Sequence, residues 1–479
     1  MKRILGLVTI VVTLALGTNV FAAAFTPGNV VVYRIGDGTQ PVTNLGQSVF
    51  LDEYTTNQII ANAGCGLGCT PLTPVQSIQM PANWVGNQAP LIANGQGSAI
   101  EGMMTLSQDG RYLVVPGLAA TVDQLTNLTG YAFPGISSNA DVSASYATNA
   151  VTEADVPRVI GLVDGLGHIY TSTTVTNRNE DGDEIRGAAS LDGTNIWYEG
   201  GDGLRVKYTT RGSLVSTQVC ALTTMEPTRA VGIFANTVYI DKNTAFAGAT
   251  ATNVLVNPYG GTNLPALLPT SSIATNFSAI GAVTNGSQMS FIMFNLANGN
   301  HGGAAPDTLY LADSAANFPG EARNYGGAIE KYCYVSGSWT WEGSIGAEDA
   351  FGVAGYQNGT SVALYITQGT NADLFYFNDT TGYNNFSGQI GEALRLEGTL
   401  ANSGLVNTRG ICVVPQGGDS GTLTGGPGIT VGPPYGPYFR GPQGGPFVPA
   451  NGVTYSVANL SANSGSFTLH VSGSPSIVQ

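Results

Sequence analysis

Apolar residues fall on alternate positions over many short stretches of this chain, which is the period of a strand with one buried face. Leu364 and Ile366, then Leu374 and Tyr376, show it cleanly. The stretches are separated by glycine turns such as Gln108-Asp109-Gly110, Asp164-Gly165-Leu166-Gly167 and Asp192-Gly193, all hairpin signals. The pattern predicts strands at Asn29 to Ile35, Ser48 to Tyr54, Gly102 to Leu106, Tyr112 to Pro116, Arg158 to Val163 and His168 to Val175. It continues with Asn195 to Glu199, Leu204 to Tyr208, Thr237 to Ile240 and Asn253 to Asn257. Further strands are predicted at Met289 to Phe294, Thr308 to Ala312, Ile329 to Val335, Ser338 to Gly343, Ser361 to Thr367, Asp373 to Phe377 and Ala393 to Leu400. The chain reads as all-β.

One short strand motif returns. It is Ile100-Glu101-Gly102-Met103, then Ile185-Arg186-Gly187-Ala188, then Thr228-Arg229-Ala230-Val231. Looser copies are Phe277-Ser278-Ala279-Ile280, Ala350-Phe351-Gly352-Val353 and Thr408-Arg409-Gly410-Ile411. A repeat of roughly 45 to 85 residues with variable loops is what a β-propeller gives. Six blades are the preferred count. Seven is the alternative, with Arg158-Val159-Ile160-Gly161 opening a blade of its own, although the gap to Arg186 leaves little room for four strands. The first two predicted strands lack the motif, and the last copy lacks following strands. The two leftovers complement each other, so the N-terminal strands are expected to complete the blade that Arg409 begins, removing open sheet edges.

The ends differ from this pattern. Lys2 and Arg3 precede an apolar run from Ile4 to Ala15, and Ala22-Ala23-Ala24 follows, the layout of a secretion signal removed before Phe25. No later stretch is apolar for long enough to span a bilayer as a helix. Residues 1–24 are therefore read as a signal peptide and 25–416 as the propeller. A glycine- and proline-rich linker at 417–450 and a short β tail at 451–479 follow, the tail reading as a small hairpin of Val453 to Ala458 and Ser466 to Val471. The location implied is secreted, extracellular or periplasmic.

Charge narrows the partners. The chain carries 17 basic and 31 acidic residues, a formal net charge of -14, with only 4 lysines. No basic stretch could track a phosphate backbone, which argues against a nucleic-acid partner. The recurring motif, by contrast, gathers charge at one point per blade: Glu101, Arg186, Arg229, Ser278, Phe351 and Arg409. With only 13 arginines in the chain, three at equivalent positions suggest a pocket for an acidic ligand at the channel mouth, such as a uronate-containing glycan. The competing reading is structural, with the arginines bonded to backbone carbonyls and to Glu101 or Asp52.

Other candidate chemistry is thinner. A glycosidase needs two carboxyls facing across a substrate. Glu101 with Glu392, Asp349 or Asp52 could pair so, whereas Asp52 and Glu53 fall on opposite faces of one strand. Asp181, Asp183 and Glu184 around Gly182 could offer hard oxygens to Ca2+, though the full 12-residue calcium-loop pattern is absent. Cys65 and Cys69 flank a tight loop and are expected to form a disulfide after export. A free pair and a metal half-site are the alternatives. Cys220, Cys333 and Cys412 read as small buried fillers. His168, His301 and His470 are too scattered for a metal cluster. Trp339 and Trp341 share one strand face, fit either for packing between blades or for stacking on a sugar ring.

Several longer stretches carry a likeness. Phe25-Thr26-Pro27-Gly28-Asn29 leading through Val31-Val32-Tyr33-Arg34 to Gly36-Asp37-Gly38 is one, and Val49-Phe50-Leu51-Asp52-Glu53-Tyr54-Thr55 is another. Arg186-Gly187-Ala188-Ala189-Ser190, Asp307-Thr308-Leu309-Tyr310 with Ala312-Asp313, and Ile329-Glu330-Lys331 through Trp339 complete the set. Over roughly residues 25 to 415 the chain resembles a family of secreted, uncharacterised bacterial β-propeller-like proteins. The resemblance implies the fold and export but no activity. Some members end in a sorting signal, whereas this chain ends Ser474-Pro475-Ser476-Ile477-Val478-Gln479. The function expected is a binding or scaffold protein that recognises an acidic polysaccharide or a cell-surface protein. The alternative is a polysaccharide-active hydrolase or lyase.

Overall fold

In the computed structural model, residues 22–416 are described except 43–45, 63–70, 96–100, 123–155, 176–184, 201–205, 219–227, 236, 243–252, 257–274, 277–287, 298–304, 315–326, 348, 370–371, 387–397 and 400–404. Beyond 416 the described residues are 422–423, 455–458 and 468–471. The described residues open with β1 (Val30–Ile35), β2 (Gly46–Tyr54), a short helix α1 (Thr56–Asn62), β3 (Gln76–Gln79) and β4 (Ile92–Asn94). Next come β5 (Thr105–Leu106), β6 (Tyr112–Leu118), β7 (Arg158–Asp164) and β8 (Ile169–Val175), then β9 (Ile185–Ser190), β10 (Asn195–Gly200), β11 (Lys207–Thr210) and β12 (Thr217–Gln218). β13 (Thr228–Phe234), β14 (Thr237–Lys242), β15 (Asn253–Val256) and β16 (Thr275–Asn276) form a third antiparallel group. β17 (Gln288–Phe294), β18 (Thr308–Asp313), β19 (Ala328–Val335) and β20 (Ser338–Gly346) form a fourth. β21 (Ala350–Asn358), β22 (Ser361–Gln368), β23 (Asp373–Asp379) and β24 (Gly398–Thr399) form a fifth, and β25 (Asn407–Val413) ends the run.

β25 pairs antiparallel with β1, β1 with β2, and β2 with β3. Val30 lies opposite Val413 and Val32 opposite Ile411, so the N-terminal strands complete the unit that Arg409 opens, as the two sequence leftovers require. The leading strands of the units neighbour one another in the cyclic order β5, β9, β13, β17, β21, β25 and back to β5. Each sheet is open; the closing and first units share one nine-stranded sheet, and the other units meet their neighbours by sheet packing on sheet. This is a β-propeller. β7 lies between β6 and β8 inside the first unit, so Arg158 does not open a sheet of its own. β4 bridges β2 and β6 and stitches the closing unit to the first one.

The core lies between sheets, which explains the near-continuous apolar runs of the middle strands. Val31 and Tyr33 of β1 pack with Leu113, Val115 and Val159 of the first unit. Val30 and Val32, one residue out of phase, pack on Tyr365 and Leu374 of the fifth. Tyr112, Val114 and Ile160 turn the other way, onto Ile185 and Ile196. The period of two sends successive side chains into different inter-sheet cores. A separate sheet pairs Thr422–Leu423 with Tyr455–Ala458 and that with Thr468–Val471.

Candidate functional site

The recurring motif owes its shape to two constraints at the ring centre. The first is crowding. A Cβ at Gly410 would stand 2.4 Å from the Met104 nitrogen and 2.7 Å from the Gly102 carbonyl oxygen. At Gly352 it would stand 2.8 Å from both the Arg409 carbonyl oxygen and the Ile411 nitrogen. Leading strands therefore meet backbone to backbone, and Gly410 N–H donates to the Gly102 carbonyl at 3.0 Å while Met103 N–H donates to Arg186 O at 2.9 Å. The residue after the marked one is Gly, Ala or Ser in every unit.

The second constraint is a bulge. Register slips between Thr228 and Ala230, between Gln288 and Ser290, and between Ala350 and Val353, with equivalent slips opposite Arg186 and Arg409. A bulge re-aims the side chain at the irregular step. It brings the marked residues of successive units into contact. Arg229 Nη1 reaches the Met289 sulfur at 3.6 Å. Met289, Met103 and Phe351 form one buried cluster, and the Arg409 guanidinium carbon lies 5.4 Å from the Phe351 ring centre. Glu101 acts electrostatically on both Arg409 and Tyr33. Burial pulls the Arg409 guanidinium down from its ordinary range, and Glu101 opposes that shift. Burial, then Glu101, pushes the Tyr33 phenol well up.

The fourth unit corrects the sequence reading. Its leading strand is β17, beginning at Gln288, so Met289 occupies the column place assigned to Ser278, which lies outside the described residues. Methionine in place of arginine and Ser290 in place of glycine hid the motif. Ser290 Oγ donates to Phe351 O at 2.6 Å, which ties it to the next unit.

The four candidate residues Glu101, Arg186, Arg229 and Arg409 thus come together around the ring. Glu101 and Arg409 are 0% exposed and Arg186 is 8% exposed, while Arg229 is half-buried. Arg186 Nη1 donates to Thr228 O at 2.7 Å, and Arg409 Nη1 donates to Thr408 O at 2.9 Å and Gly369 O at 3.2 Å. A cavity of about 30 Å³ lies among Met103, Thr105, Val231, Ser290, Gly352 and Ile411. That is room for about one water, not for a sugar ring.

The remaining candidates separate. Asp52 pairs with Arg34 at 2.5 Å, and Glu53 accepts from Thr26 N–H, the Asn29 amide and the Gln76 amide at 2.8, 2.6 and 2.7 Å. Trp339 and Trp341 pack against the core shared by the third and fourth units. His168 Nδ1 lies 3.0 Å from Asp164. Cys333 and Cys412 are buried thiols. Cys65 and Cys69, the acidic residues Asp181, Asp183 and Glu184, and Glu392, Cys220 and His301 lie outside the described residues. Sequence reasoning missed a second charged cluster. Lys331 on β19 donates to Asp379 at 2.6 Å and to the carbonyls of Gly382 and Asn385 at 2.6 and 2.9 Å. A lysine in the middle of an apolar strand was its only visible sign.

The fold defines the chain as a propeller protein. No family model matches it, and no curated protein matches it. Among solved structures it is similar to a chain of the nidogen/laminin complex, with a TM-score of 0.40, 10% identity, and coverage of 81% of this chain and 98% of that one. It is also similar to the Dos1 propeller, with a TM-score of 0.33, 9% identity, and coverage of 64% of this chain and 63% of that one.

Proposed function

We propose that this is a secreted or surface-associated binding or scaffold protein whose propeller is a rigid platform, and that acidic oligosaccharides bind at the Arg229 end of the column. The observation that carries the reading is the division of labour among the column arginines. Arg186 and Arg409 are buried and hold backbone carbonyls of their own and neighbouring units, so their charge serves the ring. Arg229 sits at the equivalent place, reaches the Met289 sulfur and keeps part of its surface accessible. A guanidinium held in that way suits a carboxylate of a uronate or an acidic side chain of a cell-surface protein.

The test is an array of uronate-containing and neutral oligosaccharides, read beside a reducing-end release assay. Arg229→Ala is expected to lose acidic-ligand binding while its melting temperature holds, and added salt is expected to weaken binding to the unmodified protein. Arg409→Ala is expected to lower the melting temperature instead. Acidic-ligand binding unchanged in Arg229→Ala would overturn the assignment. Product release that Glu101→Gln abolishes would replace it with a hydrolase or lyase.

A further inference from the structure

The N-terminal segment is seated with unusual care. Phe25 is 6% exposed and joins the core between the closing and first units, whereas Ala23 and Ala24 are exposed. Ala22 is half-buried against the same core, and Phe25 is the first fully buried residue of the described chain. Phe25 N–H donates to Gly165 O at 3.0 Å, in the β7–β8 turn. Thr26 N–H then donates to Glu53 at 2.8 Å, and the Asn29 amide to the same oxygen at 2.6 Å. Asn29 O in turn accepts from Val414 N–H at 3.2 Å and from Tyr356 Oη at 2.6 Å. Five residues therefore clasp the first unit, the closing unit and the fifth unit. Glu53 is 0% exposed, and the donors described at its carboxylate are neutral: Thr26 N–H, Asn29 and Gln76. Asp52, its neighbour on the strand, holds Arg34.

We propose that the Ala24–Phe25 bond is a processing site, and that the α-ammonium created there is a structural group of the mature protein, seated on Gly165 O one residue from the Glu53 carboxylate. The step is a hydrolysis by a leader peptidase. Water adds to the Ala24 carbonyl carbon and the C–N bond breaks. Ala24 departs as a carboxylate, and the Phe25 amine takes up the proton. One amide donor becomes an ammonium with three, beside a buried carboxylate otherwise held by dipoles, and charge-assisted bonds are the stronger kind. The product also fits the fold. Alanines at 22 and 24 give the small-residue pattern such peptidases read, and Phe25 is the first fully buried residue described.

Two measurements test this. Intact mass of exported protein is expected to show a chain beginning at Phe25. A start at any other residue overturns the proposal. Three purified chains are then compared: one beginning at Phe25, one carrying an added glycine before it, and one with Phe25 acetylated. The free-amine chain is expected to melt about 2 °C above the other two, the scale of one charge-assisted hydrogen bond in a domain this long. Glu53→Gln is expected to erase that gap. Should Glu53→Gln fail to fold, the acetylated chain carries the comparison alone, because it keeps every side chain and removes only the charge. Equal melting of the free and acetylated chains overturns the structural role.

Discussion

Replacing Lys331 with methionine removes one charge from a sealed cage between two units of the ring. Lys331 is 0% exposed and Asp379 is 1% exposed. The ammonium nitrogen lies 2.6 Å from Asp379 Oδ2, 2.6 Å from Gly382 O, 2.9 Å from Asn385 O and 3.4 Å from Thr381 Oγ1, so four acceptors converge on it. It also lies 5.5 and 5.4 Å from the ring centres of Tyr310 and Phe386. Methionine keeps the stem's packing but leaves a buried carboxylate with Tyr310 Oη as its remaining strong donor to Oδ2, and two carbonyls that lose this bond. Breaking a buried pair by removing one partner costs about 3–5 kcal/mol. With an unfolding entropy of roughly 2 cal/mol/K per residue, that is a fall of about 4–6 °C for a propeller of this length. Urea unfolding of Lys331→Met, Asp379→Asn and the double variant gives the cycle. The double variant is expected to be more stable than the sum of the singles by at least ~2 kcal/mol, since the second change removes the stranded charge. A single substitution costing under ~1 kcal/mol, or a cycle that adds without coupling, would refute the cage as an inter-unit latch.

Gly410→Ala forces a methyl to within 2.4 Å of backbone, and it is expected to cost at least ~2 kcal/mol by denaturant titration, more than Gly359→Ala, which meets open space and bears only the strain of its left-handed backbone (φ +64°). Deleting residues 25–55 removes β1 and β2 from the closing unit, and is expected to abolish cooperative unfolding and to leave an aggregating chain by light scattering. Burial pushes the Cys333 thiol up to about 11 and the Cys412 thiol higher still. Because the thiolate is the reactive form, alkylation of both in the folded chain at pH 8 is expected to be far slower than in denaturant, with Cys333 speeding up as pH approaches 11.

The ring was legible where local chemistry is repetitive. Arg186-Gly187 and Arg409-Gly410 advertise themselves because crowding leaves a glycine at the second place in these units and the bulge favours a long side chain at the first. Where different atoms meet the same constraint the signal vanished: Met289-Ser290 does the same job with a thioether and a hydroxyl. The closing pairing of β1 with β25 could be inferred because both leftovers were incomplete. The stitch made by β4 could not, since Ile92–Asn94 is three residues long and its register depends on partners far away in sequence. The convergence of Glu101, Arg186, Arg229 and Arg409 followed from strand position alone. Their burial did not, because exposure at a ring centre depends on how tightly the leading strands close around it.

The pairing of β1 with β25 also sets a timetable. β1 ends at Ile35 and its partner begins at Asn407, so during synthesis β1 waits for β25, more than 370 residues later. During that interval β1 and β2 carry an open edge of Val30, Val31 and Val32, an apolar β-branched run suited to wrong pairing. Such long-range closure is slow because loop entropy must be spent before the contacts form. The chain is therefore most vulnerable late in its synthesis, and a truncation just before Asn407 would yield a product more hazardous than one stopped after the first unit.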